Sequence, residues 1–193
     1  MGLDMYLKAE KYVAGWKHAA EDERNEYDRL VEAFGVKEFV TESSPSAFVT
    51  FNVGYWRKAN HIHSWFVREC QDGVDECQKT GVSIEKLEEL RETCLRVLAS
   101  TKLVPGEVLT GTIFNKEHPQ GEKQLEPGMV LEDFSLAEEL LAPEEGFFFG
   151  SVEYDQWYWE DLQATVEIID RCVALSKRGE KGEWWDFEYQ SSW

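Results

Sequence analysis

The sequence predicts an α+β fold, a small and mostly antiparallel sheet with amphipathic helices packed on one face. Three observations predict it. Apolar and polar residues alternate near both ends of the chain, a β-branched and aromatic run stands between them, and the intervening segments carry a 3.6-residue period. No tandem repeat, low-complexity tract or linker divides the 193 residues, so one domain spanning 1–193 is expected.

Leu3, Met5 and Leu7 fall on one side of the first segment, the period of a half-buried strand over residues 3–13. From about His18 to Phe34, Tyr27, Leu30, Val31 and Phe34 recur at helical spacing, and Gly35 stands where a left-handed cap belongs. After the break TESSPS, residues 47–55 read as a second strand, with Gly54 expected to end it. Residues 57–70 take a helical period, and Ser83 is an N-cap for a helix reaching about Ala99. Residues 102–146 hold four prolines and several glycines. They are expected to form strands or loops, with one short helix at SLAEELL, as an irregular insertion or flap. Gly146 and Gly150 bracket three phenylalanines that read as a short buried strand. A long helix follows from about Asp155 to Ser176, and alternation in WWDFEYQSSW predicts a last strand.

The balance of 38 acidic against 20 basic residues, a net charge of −18, disfavours duplex nucleic acid and anionic membrane as partners. It suits solubility, a basic partner, or imitation of nucleic acid. Cys70, Cys77, Cys94 and Cys172 make no metal-spaced pair, so reduced thiols are expected. No apolar run has the length of a signal peptide or a membrane span, and a cytoplasmic location is the expectation.

The candidate site is the basic, aromatic-flanked segment GYWRKANHIH. On a helix over 57–70, Ala59, Ile62, Phe66 and Cys70 form one face, with Arg57, His61, Ser64 and Arg68 opposite. Arg57 and Lys58 then occupy the first turn, where exposed N–H groups favour an anion. Ordinary salt bridging and an anion or phosphate site both fit this arrangement. Trp56, Trp65 and Tyr154 supply rings able to stack a nucleobase beside a guanidinium, although such rings also fill cores. The predicted ligand-binding set is therefore Arg57, Lys58, His61, Arg68, Trp56, Trp65 and Tyr154. No catalytic residue, metal or cofactor is assigned. His61 and His63 are two apart, a poor metal pair, and the carboxylates Asp72, Asp75, Glu153, Asp155, Glu160 and Asp161 follow no calcium spacing. Signatures of nucleotide hydrolases, dehydrogenases and peptidases are absent.

MGLDMYL, GYWRKANHIHSWFV with QDGVDEC, GFFFGSVEYDQWYWEDL and the terminal FEYQSSW together resemble a family of small acidic proteins met largely in bacteriophages and prophages. That resemblance implies an accessory role in an infected or lysogenic bacterium. The expectation is a protein that binds a nucleotide or other phosphorylated small molecule, sequestering a nucleotide messenger of host defence. An acidic inhibitor or DNA mimic acting on a host protein is the alternative, a nucleotide-processing enzyme the further one. A homo-oligomer is compatible with each.

Overall fold

The computed structural model describes residues 2–41, 43–113, 116, 119–146, 149–181 and 184–193. In chain order the elements are β1 (Asp4–Ala14), α1 (Glu21–Phe34), β2 (Ser46–Arg57), α2 (Asn60–Cys70), β3 (Thr80–Val82), α3 (Ile84–Ser100), β4 (Leu103–Ile113), β5 (Glu122–Leu131), α4 (Ser135–Leu141), α5 (Gln156–Ser176) and β6 (Asp186–Ser192). A four-stranded antiparallel sheet has the order β2-β1-β6-β3, and β4 and β5 form a separate two-stranded sheet. The protein is α+β, as the sequence predicts.

The alternation in β1 explains its central place. Leu3, Met5, Leu7 and Ala9 are fully buried, while Asp4, Tyr6, Lys8 and Glu10 stay half-exposed on the other side. Trp65, Phe66, Leu87, Leu90, Leu162, Ile169 and Tyr189 join them in the main core. Each such side chain contributes about 1.5–3 kcal/mol of burial. The Tyr189 ring lies flat on Phe66, with centroids 3.9 Å apart, and α3 packs against α5. Val13, Tyr27 and Val31 form a smaller core that docks α1 on the far end of β1. Among the described residues no helix is long and apolar enough to cross a membrane.

Several caps fall where the sequence places them. Gly35 has φ 63° and closes α1, Ser83 Oγ accepts from the Lys86 amide, and SLAEELL is α4. Residues 102–146, expected to form strands or loops with one short helix, form β4, β5 and α4 over their described part. The strand expected between Gly146 and Gly150 falls largely on Phe147 and Phe148, which lie outside the described residues.

Two expectations are corrected. Gly54 does not end its strand: β2 continues to Arg57, and a register shift opposite Leu7 and Lys8 leaves Val53 as an extra residue. The glycine is required by proximity, because a Cβ there would stand 2.7 Å from Ile168 Cγ2 of α5. Gly54→Ala is accordingly expected to cost about 1–3 kcal/mol, read as a lowered chemical-denaturation midpoint with unchanged slope.

The second correction concerns the start of α2. Arg57 is the last residue of β2, Lys58 adopts φ 61°, and the helix begins only at Asn60. Arg57 and Lys58 thus sit in the strand-to-helix corner, not in a helical turn. Nor is the helix half-wet over its first turns, since Asn60, His61, Ile62, His63, Trp65 and Phe66 are all buried. His63 bonds to the Tyr189 hydroxyl through Nδ1 at 2.8 Å and to Asp75 Oδ2 through Nε2 at 2.9 Å, tying α2 to β6.

Candidate functional site

Asn60 builds the wall that encloses the site. Its Nδ2 donates to the carbonyls of Phe149 at 3.1 Å and Ser151 at 2.8 Å, and its Oδ1 accepts from the Glu144 amide at 3.2 Å. These bonds hold the loop before α5 against the start of α2. Gly150, with φ 97°, lets that loop pass Lys58 closely.

Between the corner, the loop and the first two turns of α5 lies a pocket of about 300 Å³. The corner contributes Arg57, Lys58 and His61; the loop contributes Gly150, Ser151 and Glu153; α5 contributes Trp157, Tyr158 and Asp161, with Asp155 as its N-cap. Asp155, Tyr158 and Asp161 recur every three residues, so one stripe of α5 faces the cavity.

The interior is polar and incompletely satisfied. His61 is only 3% exposed, and its ring lies over Tyr158 with centroids 4.1 Å apart. Burial holds its imidazole down at about 3, so it is neutral, and its Nε2 has no hydrogen-bond partner. Asp155 is 1% exposed. Its Oδ1 accepts from the Trp157 and Tyr158 amides at 2.9 and 3.2 Å, while Oδ2 has no partner. Burial raises the Asp155 carboxyl, and these backbone donors work in the opposite direction. Asp161 is pushed up to about 7 by burial first, then by the charges of Asp155 and Glu160.

The lip is different in character. Arg57 is exposed and reaches Asp4 only at 4.0 Å, Lys58 makes no ion pair with a described residue, and Trp157 stands 57% exposed. The pocket is thus polarised, with cations and an open indole outside and acceptors within.

No family model, curated protein or solved structure matches this chain. The site geometry therefore carries the functional argument.

Of the predicted set, the structure brings Arg57, Lys58 and His61 together in this pocket. Tyr154 adjoins it, stacked on Phe134 at 4.8 Å and edge-on to Tyr158 at 5.1 Å, without lining it. Trp56 and Trp65 are core residues: Trp56 Nε1 donates to Thr165 Oγ1 at 2.8 Å, and Trp65 lies beneath the Lys86 ammonium at 6.0 Å. Arg68 pairs with Glu69 at 2.9 Å, outside the pocket lining. Asp155, Asp161 and Trp157 are outside the predicted set; the recurrence of Asp155, Tyr158 and Asp161 every three residues is the signal in the sequence for the first two, and none marks Trp157. Among the described residues, which exclude His118, no group of three or more His, Cys, Asp or Glu side chains could hold a metal ion.

Proposed function

We propose that this protein binds a phosphorylated small molecule of nucleotide size and holds it intact. The phosphate lies against Arg57 and Lys58, a ring edge bearing hydrogen-bond donors reaches Asp155 and His61, and Trp157 stacks on the exposed ring face. One observation carries this reading: His61 and Asp155, which both line the cavity whose lip holds cations, each carry a buried polar atom without a partner, Nε2 and Oδ2. Each such atom costs about 1–3 kcal/mol when left unsatisfied. A ligand that pairs both recovers that cost on binding.

Size and protonation narrow the class. A pocket of about 300 Å³ is at the lower end for small-molecule sites, room for one nucleoside phosphate and too small for a dinucleotide. His61 at about 3 is too weak a base to carry protons near neutrality, which favours binding over turnover. Sequestration of a nucleotide messenger of host defence is the biological role that such a site fits. Asp161, titrating at about 7, supports a second reading, a nucleotide-processing enzyme with that carboxyl as the acid or base.

A thermal-shift screen against mono-, di- and cyclic nucleotides separates these. At a ligand concentration about 100 times Kd, the melting temperature is expected to rise by about 5–10 °C. Chromatography of ligand released by denaturation should recover it unchanged. Replacing both Arg57 and Lys58 by alanine should weaken binding about tenfold or more without shifting the melting of the free protein, since both side chains are exposed. No shift with any nucleotide at about 1 mM, a level that detects Kd values to roughly the same range, removes the reading. Product formation that disappears in Asp161→Asn replaces it with the second.

A further inference from the structure

We infer that the pocket selects an adenine base, read through Asp155, His61 and Asp161. The inference rests on the proposed nucleotide site and names the base it takes. All three residues line the cavity and have hydrogen-bonding capacity that no described residue uses. Asp155 Oδ1 accepts from the Trp157 and Tyr158 amides, which favours the carboxylate form, so its buried Oδ2 is an acceptor. His61 is a neutral imidazole, and with its hydrogen on the unpaired Nε2 it is a donor. The Asp161 carboxyl makes no hydrogen bond or ion pair with a described residue. Burial and the charges of Asp155 and Glu160 push it up to about 7. Near neutrality it therefore presents, in its protonated form, an O–H donor beside a C=O acceptor.

Adenine complements all three groups. Its ring nitrogen N1 accepts from the Asp161 O–H, and one amino hydrogen goes to the Asp161 carbonyl. The other amino hydrogen goes to Asp155 Oδ2, and N7 accepts from His61 Nε2. Asp155 and Asp161 lie on one stripe of α5, close enough for the Asp155 charge to act on Asp161, and an amino group between them has one hydrogen for each. Guanine fails at both edges. Its O6 faces the Asp155 carboxylate, acceptor against acceptor, and its N1–H faces the Asp161 O–H, donor against donor. Cytosine can pair with Asp161 but has no N7 to take the His61 hydrogen. The ionisable groups sharing the cavity with Asp161 are Arg57, Lys58 and His61 of the corner, Glu153 of the loop, and Asp155 and Tyr158 of its own helix. Ionised, Asp161 offers two acceptors, the complement of the N1–H and amino hydrogens of guanine, so the preference for adenine narrows as pH rises through about 7.

Titration calorimetry of the full chain with AMP, GMP, CMP and purine riboside monophosphate, which lacks the amino group, tests this. At about pH 6, AMP is expected to bind at least about tenfold more tightly than the other three. By about pH 8 its advantage over GMP should shrink several-fold in the wild type, the phosphate common to both cancelling from the ratio. Asp161→Asn, whose amide keeps a donor beside an acceptor at every pH, should hold that ratio at about pH 8 where the wild type loses it. Equal affinities for AMP and purine riboside monophosphate overturn the inference and leave the nucleotide site standing. A preference for GMP or CMP at about pH 6 does the same, as does an AMP to GMP ratio in the wild type that ignores pH. No binding by any nucleotide at about 1 mM overturns the nucleotide site with it.

Discussion

His61→Phe is expected to melt about 3–6 °C above the wild type while binding its nucleotide at least about tenfold more weakly. A structural histidine would show the reverse on the first count, because its replacement removes a partner that something else needs. His61 has no such partner: it is 3% exposed, neutral, and its Nε2 is unpaired beside Tyr158. Phenylalanine keeps the ring stacked at the 4.1 Å separation seen with Tyr158 and deletes the unsatisfied nitrogen, a gain of about 1–2 kcal/mol. The same deletion removes one of the two polar atoms that the ligand is proposed to pair. Differential scanning calorimetry and titration calorimetry on one preparation read both changes. A variant that melts lower than the wild type would show that His61 serves the fold and that its Nε2 is not held open for a ligand.

The opposition between stability and binding also explains why the site was only partly readable in the sequence. Strand β1 and helices α3 and α5 were legible because their patterns are local: alternate residues of β1 are buried, and Ser83 and Asp155 cap the helices they precede. Gly54 was misread because the reason for a glycine there is Ile168, more than a hundred residues away. β3 was not anticipated, since three residues have no periodicity and exist as a strand only by pairing with β6.

For α2 the helical projection identified a true core stripe in Ile62 and Phe66. It assigned the opposite side to solvent, as periodicity must when one cover is assumed. The loop held by Asn60 and the start of α5 supply a second cover, which buries His61 and keeps its ring neutral. Arg57 and Lys58 kept their cationic, open character because they fall at the corner outside both covers. The anion site survives from the sequence reading in altered form, moved from a helical first turn to the lip of a cavity. Its inner half came from the tertiary fold.

The inner half makes the second large prediction, through Asp161. Its carboxyl titrates at about 7 in the folded protein against an ordinary 3.8, held up by burial and by the charges of Asp155 and Glu160. The folded state therefore holds this proton more tightly than the unfolded chain does. The stabilisation is fully present below about pH 4, is lost as pH rises through 7, and changes little above it. A displacement of that size corresponds to about 4 kcal/mol at most, and water in the pocket reduces it. Asp161→Asn, which cannot ionise, is expected to match the wild type at about pH 4 and to exceed it by roughly 2–4 kcal/mol above pH 8. Denaturant midpoints across that range measure the difference. Binding of a cyclic nucleotide, whose phosphodiester does not titrate in this window, should weaken several-fold in the wild type between about pH 6 and 8, as Asp161 gains a charge beside Asp155 and Glu160. In Asp161→Asn the affinity should stay flat. A constant stability offset at every pH would place the Asp161 carboxylate in water and remove it from the site.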